Sequence, residues 1–378
     1  MLELAADLLP LLRAGQTVAT ITVAGVARSA PRGVGSAMAV TRDARVIGSI
    51  SGGCVEGDAV ALALAALARG TGDAARFGFT DDQAFAAGLA CGGTIDAVIS
   101  IVSPTDAVAR DALERAAADR PAAIGIVASG PGAGTLVPHD PVPESALHDD
   151  LLVVAAPRRP RLVIVGAGEH AAALSRVAAA SGFAVSVCDV WDTLVTEERF
   201  PEADERVCAL PHEYLQQLDE RNQLDERTAV CVLTHDLRLD IPALQTALAL
   251  PVGFVGAMGA RRTVARRADL LREAGVPKTD LARLHSPLGL DLAGVTPAET
   301  AIAVLAEIVA ARRGGSGLPL RAGTGALHPR TSASTSASAS ASASASASAS
   351  ASASAAASAS RESIPSPSEH SIGCALDE

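Results

Sequence analysis

The sequence predicts an α/β protein: two α/β units, the second built on a parallel sheet, followed by a disordered Ser/Ala-rich tail. Three observations carry this. Short Val/Ile-rich runs alternate with segments of helical periodicity through residues 161–313. A glycine turn, Gly166-Ala167-Gly168, stands between one such run and the helix after it. Beyond Gly315 the apolar periodicity stops, and residues 331–360 are almost pure Ser/Ala alternation. Ala and Ser bury too little surface to order a strand, so that alternation reads as disorder.

The elements follow from pattern and punctuation. Residues 2–13 carry leucines at helical spacing, Leu4, Leu8, Leu11 and Leu12. Val18 to Val26, Ser36 to Thr41 and Val46 to Ile50 read as strands, with the Pro/Gly turn Ser29 to Gly35 between the first two. A helix is expected over Cys54 to Arg69, a strand over Ile95 to Val102, a helix over Asp106 to Ala118 and a strand over Ala122 to Ala128. In the second unit, strands are expected at Arg161 to Val165, Ala184 to Cys188, Val207 to Leu210, Ala229 to Leu233 and Val252 to Val255. The last helix starts with Thr296 as cap, Pro297 in the first turn and Glu299 completing a capping box. It runs to about Arg313, with Ile302, Leu305, Ile308 and Val309 facing inward. The expected divisions are residues 1–130, 131–159 (a Gly/Pro/Asp/His-rich linker or irregular crossing), 160–318 and the tail 319–378.

Composition narrows the class. Apolar residues make up 49% but aromatics only 2%, so the core must come from Ala, Val, Leu and Ile. A net charge of -11 argues against nucleic acid or an anionic membrane as main partner. Glu3 and Asp7 stand where a signal peptide would be basic, and the most apolar stretch, Ala59 to Ala68, is too short to span a bilayer. Six scattered cysteines without a C-x-x-C pair fit a reduced, cytoplasmic protein. Walker A and H-E-x-x-H motifs are absent, as is any run of aromatics for stacking on nucleic acid.

Six constellations could carry chemistry. Gly166 permits a tight turn, Gly168 lets a phosphate group approach the backbone, and Asp189 ends the next strand where an acid would meet a ribose hydroxyl. The bland alternative is a turn that needs glycine only for packing. Gly52, Gly53, Cys54 and Glu56 lie between a strand and a helix, and Cys91, Gly92 and Gly93 precede a strand. Small neighbours leave these thiols open to a ligand, and a helix start favours the Cys54 thiolate; a small buried apolar Cys is the alternative at both. Two cysteines with no further Cys or His at ligand spacing do not make a zinc site. His235 and Asp236, with Asp240 beyond, follow an apolar strand at its ligand-binding end, or serve as a loop His and a capping Asp. Arg261 and Arg262 open a helix, which the helix dipole disfavours unless an anion lies near; a surface pair is the other reading. His285 to Asp291 reads as a turn with a buried-looking His and Asp.

Taken together, S-G-G-C-V-E-G-D at 51–58, G-L-A-C-G-G-T-I-D at 88–96, V-I-V-G-A-G at 163–168, L-T-H-D at 233–236, G-A-M-G-A-R-R-T at 256–263 and H-S-P-L-G-L-D at 285–291 resemble the XdhC/CoxI family, as does the turn Ser29 to Gly35. The resemblance covers about residues 10–318 in family order, and departs from it at Val190-Trp191, where the family often has an Arg, and at Met258 for a usual Leu. It implies an N-terminal XdhC/CoxI-type domain and a C-terminal Rossmann-like domain. It also implies an accessory protein, a chaperone more than a catalyst. Such a protein binds the molybdenum cofactor (molybdopterin, with or without a nucleotide), holds it while its terminal sulfur is installed, and delivers it to a xanthine dehydrogenase-type molybdenum hydroxylase. The partners it implies are a cysteine desulfurase and the large chain of the apoenzyme, and a homodimer is compatible with transfer between proteins. Cys54 or Cys91 would touch molybdenum or carry sulfur as a persulfide. The rival is an NAD(P)-dependent oxidoreductase resting on Gly166, Gly168 and Asp189, with His235 and Asp236 as its nearest acid–base pair. A third reading is a sulfur-relay enzyme using the same two cysteines.

Overall fold

The computed structural model describes residues 1–27, 32–53, 55–78 and 93–322. The N-terminal half begins with a 3-10 turn, Leu2–Leu4, that runs into helix α1 (Ala5–Arg13). Ala5, Leu8, Leu9 and Leu12 recur at one helical face, and that face is buried. Strands β1 (Val18–Ala27), β2 (Ala37–Thr41) and β3 (Val46–Gly48) follow, then helix α2 (Glu56–Arg69) and strands β4 (Asp73–Gly78) and β5 (Thr94–Val102). They form an antiparallel sheet in the order β3-β2-β1-β5-β4. Strand β1 is buried on both faces because its residues alternate between two cores. Ala19, Ile21 and Val23 pack with α2, while Val18 and Ala24 join the core that includes α1.

Helix α3 (Ala107–Ala117) is capped by Asp106, whose carboxylate accepts the Ala109 N–H at 3.0 Å. Strand β6 (Ala122–Val127) comes next. The stretch 131–159, expected as a linker or irregular crossing, instead contributes β7 (Leu136–His139), β8 (Ala146–His148) and β9 (Leu151–Ala156). With β6 they make a second antiparallel sheet, ordered β7-β6-β9-β8. Leu152 and Val154 alternate inward from β9, so a short apolar period inside a polar, Pro-rich stretch was enough to recruit it.

The C-terminal half alternates strand and helix. It comprises β10 (Arg161–Val165), α4 (Glu169–Ala180), β11 (Ala184–Asp189), β12 (Glu205–Cys208), α5 (Pro211–Glu220), β13 (Ala229–Val232), α6 (Leu237–Ala249), β14 (Phe254–Ala257), α7 (Arg261–Glu273), α8 (Lys278–Leu281), β15 (Leu284–His285) and α9 (Pro297–Arg313). Every strand pairing is parallel, in the order β12-β11-β10-β13-β14-β15. That is two three-strand halves running outward from a switch point between β10 and β13, the Rossmann order. Helices α4 and α9 cover one face, and α5, α6 and α7 cover the other. Among the described residues no helix is long and apolar enough to cross a membrane. A second unit begins at Pro319 and is described only as a 3-10 turn, Leu320–Ala322; the tail expected to be disordered lies outside the described residues from 323 onward.

Helix α9 departs from its expected face. Leu305 and Ile308 are buried, but Ile302 is 53% and Val309 37% exposed. The stripe that packs is Ala301, Val304, Leu305 and Ile308, an i, i+3, i+4, i+7 set that places 302 and 309 one above the other on the helix flank. The capping box forms as expected, with Thr296 Oγ1 accepting the Glu299 N–H at 3.2 Å and Glu299 accepting the Thr296 N–H at 2.9 Å. Thr296→Ala is expected to cost about 1 kcal/mol, read as a melting midpoint roughly 2–4 °C lower. An unchanged midpoint would show that the cap contributes nothing.

Candidate functional site

Ligands in open parallel sheets bind beyond the carboxyl ends of the strands, at the switch point. Here that point is the gap between β10 and β13. Gly166 leaves β10 at φ 105°, and a Cβ there would lie 2.9 Å from Thr234 Cγ2 and 3.1 Å from the Thr234 nitrogen. The ends of the two strands therefore meet closely only because residue 166 has no side chain. Gly168 is different. It caps α4 in an extended conformation, and a Cβ there would meet open space. The first-turn N–H groups of α4 thus open onto an uncrowded glycine, the arrangement that receives a phosphate.

Asp189 is only 8% exposed, and its two oxygens face inward. Oδ2 accepts the Ala167 N–H at 2.8 Å and Oδ1 accepts the Trp191 N–H at 3.2 Å. The carboxylate clasps the glycine turn, where the sequence suggested a ribose hydroxyl. Trp191 itself is 64% exposed. A residue that sequence reasoning missed lies at the same turn. Arg199 donates from Nη2 to the Ala167 carbonyl at 3.0 Å and pairs with Glu169 at 3.3 Å. Its Nε–H is buried with no acceptor among the described residues. The signal available was an arginine beside an aromatic, Arg199-Phe200, since Phe200 is fully buried and anchors the segment.

The Thr234 cluster divides into parts. His235 is exposed. Asp236 caps α6 by accepting the Arg238 N–H at 2.9 Å. The Arg238 guanidinium, 2.6 Å from Asp236, and that N–H hold its carboxyl at about 2. Asp240 is fully buried and pairs with Arg267, itself 1% exposed, at 2.9 Å. The Thr234 hydroxyl also donates to Asp240. Burial pushes the Asp240 carboxyl up, against the pull of Thr234 and Arg267. Arg267 further donates to the Met258 carbonyl at 2.9 Å and to Ser286 Oγ at 3.3 Å, and Ser286 donates to the Ala257 carbonyl at 3.1 Å. One buried network therefore ties together the ends of β13, β14 and β15. Arg267 was also missed; its signal was an arginine four residues before Leu271 on the buried face of α7.

Arg261 and Arg262 open α7 just past the Gly256 to Gly259 turn, and both side chains are exposed. They form no ion pair with any described carboxylate. His285 is half-buried, stacks on Phe254 with ring centroids 4.3 Å apart, and meets Glu307 at 2.8 Å. Glu307 also accepts the Gly289 N–H at 2.6 Å. Burial pushes its carboxyl up, but the bonds from His285 and Gly289 outweigh that and leave it lowered. Asp291, expected to be buried, is exposed.

In the N-terminal half the motif 51–58 is organised by its acid. Helix α2 starts at Glu56, two residues later than the sequence suggested. Its carboxylate accepts the N–H groups of Ser51 at 2.9 Å, Gly52 at 3.0 Å and Gly53 at 2.9 Å, and the Ser49 hydroxyl at 2.6 Å. Gly52 and Gly53 take φ values of 82° and 126°, which turn those N–H groups inward. Burial would raise the Glu56 carboxyl, yet the Ser49 and Ser51 hydroxyls and the backbone donors hold it at about 2. Gly93 lies half-buried before β5, while Cys54, Cys91 and Gly92 lie outside the described residues. Of the described cysteines, Cys188 and Cys231 are buried in β11 and β13, and burial pushes the Cys188 thiol up to about 12. No group of three His, Cys, Asp or Glu able to hold a metal occurs among the described residues.

Comparison with known proteins adds two family matches. Residues 162–308 match the XdhC Rossmann domain, and residues 11–78 match the XdhC and CoxI family. The molybdenum cofactor insertion chaperone PaoD of Escherichia coli (strain K12) is 27% identical over 301 residues, 80% of this chain and 85% of PaoD. The uncharacterized protein YqeB of the same organism is 35% identical over 159 residues, and a probable xanthine dehydrogenase subunit of Bacillus subtilis (strain 168) is 30% identical over 155. Those matches cover 42% and 41% of this chain but only 28% and 44% of the relatives, so the chain spans less than half of either. A crystal structure of a xanthine dehydrogenase from Bacillus halodurans superposes with a TM-score of 0.67 at 22% identity, over 82% of this chain and 96% of that one, and shows the fold.

Two outcomes follow from the site's electrostatics. Glu56 is held at about 2, below its ordinary 4.5, so the stability it contributes is fully present above about pH 4.5 and is lost as pH falls towards 2. Glu56→Gln is expected to lose about 1–3 kcal/mol at neutral pH, with the gap to the parent closing over that acid range in denaturant titrations. A gap independent of pH would remove the charge from the explanation. Arg267→Met leaves Asp240 buried without its partner and is expected to cost about 3–5 kcal/mol. A loss below about 1 kcal/mol, the range of an exposed pair, would contradict the pair's burial.

Proposed function

The chain belongs to the XdhC and CoxI family, and from that premise we propose that it binds the molybdenum cofactor, keeps it during sulfuration and hands it to a xanthine dehydrogenase-type molybdenum hydroxylase. The observation that carries this is the likeness to an insertion chaperone running through both halves of the chain. The parallel-sheet edge supports it on chemical grounds. When bound, the cofactor supplies molybdenum, dithiolene sulfurs and a phosphate. The uncrowded N-terminus of α4 at Gly168, the buried unpartnered Nε–H of Arg199, and the exposed Arg261 and Arg262 suit that phosphate, or the nucleotide of an extended form. Cys54 and Cys91 are the candidate thiols for molybdenum or for a carried persulfide.

A carrier must release what it holds. Backbone donors and solvent-exposed arginines bind an anion without enclosing it, which suits transfer to a second protein. The acids at this edge are otherwise engaged: Asp189 clasps the turn and Asp236 caps α6. Neither is poised to move a proton, and that weighs against an NAD(P)-dependent oxidoreductase. The partners in this reading are a cysteine desulfurase and the large chain of the apoenzyme, met in the cytoplasm, with the protein itself as a monomer or homodimer.

The test is purification from cells that make the cofactor, followed by assay of bound molybdenum and pterin. Stoichiometric cofactor is expected. Replacing Arg261 and Arg262 together by Ala should weaken binding roughly tenfold or more, as for loss of a charge-assisted contact. Cys54→Ser should impair maturation of the target enzyme. A protein that purifies empty, takes up no added cofactor and binds NAD(P)H would overturn the reading.

A further inference from the structure

Aromatic residues make up only 2% of this chain, and the fold hides nearly all of those described. Phe77, Phe183, Phe200, Phe254 and Tyr214 are at most 5% exposed. Trp191 is the exception, at 64%. An indole left in water forgoes the burial that the other rings obtain. A single exposed apolar residue needs no explanation by itself, so its place in the fold decides what it means.

Trp191 stands on the loop that leaves the C-terminal end of β11, and that loop is fastened twice to one residue of the glycine turn. At its start the Asp189 carboxylate accepts the Ala167 N–H at 2.8 Å. Further on, the Arg199 guanidinium donates to the Ala167 carbonyl at 3.0 Å. The backbone of Trp191 itself is taken up between these two points. Its N–H donates to Asp189 at 3.2 Å, and its carbonyl accepts the Leu194 N–H at 3.0 Å. Phe200, fully buried, anchors the chain just beyond Arg199. The backbone beneath the indole is therefore fixed, so a contact made by the ring costs little ordering of the loop. One carboxylate bridges Trp191 and Ala167, which places the backbone of Trp191 two hydrogen bonds from the residue before Gly168.

Gly168 opens α4 onto uncrowded space, the place given above to a phosphate. In a parallel sheet of this order the rest of such a ligand runs past the end of the neighbouring strand, here β11. Trp191 lies just beyond that end. Asp189 has both oxygens on backbone N–H groups, whereas the indole faces solvent and offers a flat π surface. We propose that Trp191 is the stacking platform for the flat heteroaromatic ring of a phosphate-bearing ligand whose phosphate sits at the N-terminus of α4. The proposal rests on the reading of this edge as the cofactor site and deepens it by giving the ligand a direction, phosphate at Gly168 and ring towards β11. A pterin and a nucleobase share the required chemistry, since each presents a π face.

The test is calorimetric titration of the full chain with neopterin monophosphate, with guanosine and cytidine monophosphates, and with ribose 5-phosphate as the ringless control. The parent should bind at least one ring-bearing ester roughly tenfold or more tightly than ribose 5-phosphate, as one aromatic stack allows. Whether the pterin or a nucleotide binds more tightly identifies the source of the ring. Trp191→Ala should abolish that preference, and Trp191→Phe should restore most of it. Both replacements alter an exposed side chain, so an unchanged melting midpoint is expected, which separates lost stacking from a lost fold. A parent without preference for ring-bearing esters, or an Ala variant that keeps the preference, would overturn the proposal. So would an Ala variant that binds every ester as the parent does yet no longer matures the target enzyme; the indole would then be a protein contact. The cofactor content of the purified protein decides the wider reading separately. A cofactor-loaded parent with no ring preference at Trp191 refutes this inference alone, and an empty parent that prefers nucleotides through Trp191 refutes the cofactor reading alone.

Discussion

Taking Arg267 and Asp240 out of water costs several kcal/mol per ion, and the ends of three strands are arranged to offset it. Asp240 receives Arg267 and the Thr234 hydroxyl; Arg267 also reaches the Met258 carbonyl and Ser286. Removing any of these leaves a charge or dipole stranded in a dry interior. The bonds therefore fix where β13, β14 and β15 stop relative to one another. The turn Gly256 to Gly259, which presents Arg261 and Arg262, is held in place from beneath by this network. The exposed Arg261 and Arg262 are thereby mounted on a turn that is buttressed from within.

A common logic runs through the motifs of both halves. Glu56, Asp189 and Asp236 each spend their carboxylate on backbone N–H groups of a neighbouring turn. These acids act as the organisers of their loops. Acids used this way are not available as proton donors or acceptors at those turns.

The parallel sheet was legible because its central strands β10 and β13 are buried apolar runs, and β10 and β14 lead into glycine turns. Gly166, Arg261 and Arg262 fall at the strand ends where the pattern placed them. Strands β7 to β9 were hidden because four or fewer inward residues alternate within a Pro-rich stretch, too short a period to separate from a loop. Arg199 and Arg267 were hidden for another reason: patterns treat arginine as surface, and only the tertiary network shows which arginine is buried. The motif at 51–58 drew the eye to its cysteine, while the residue that organises the described part of the loop is Glu56.

The chain contains a single tryptophan, Trp191, and it projects from the end of β11 beside the turn that Asp189 clasps. Its backbone is bonded to Asp189, yet its indole stands in solvent. The molecule thus carries a built-in optical reporter at one place only. Light absorbed at the indole's band reads out the polarity and crowding around the turn between β10 and α4, undiluted by emission from any other indole in the protein.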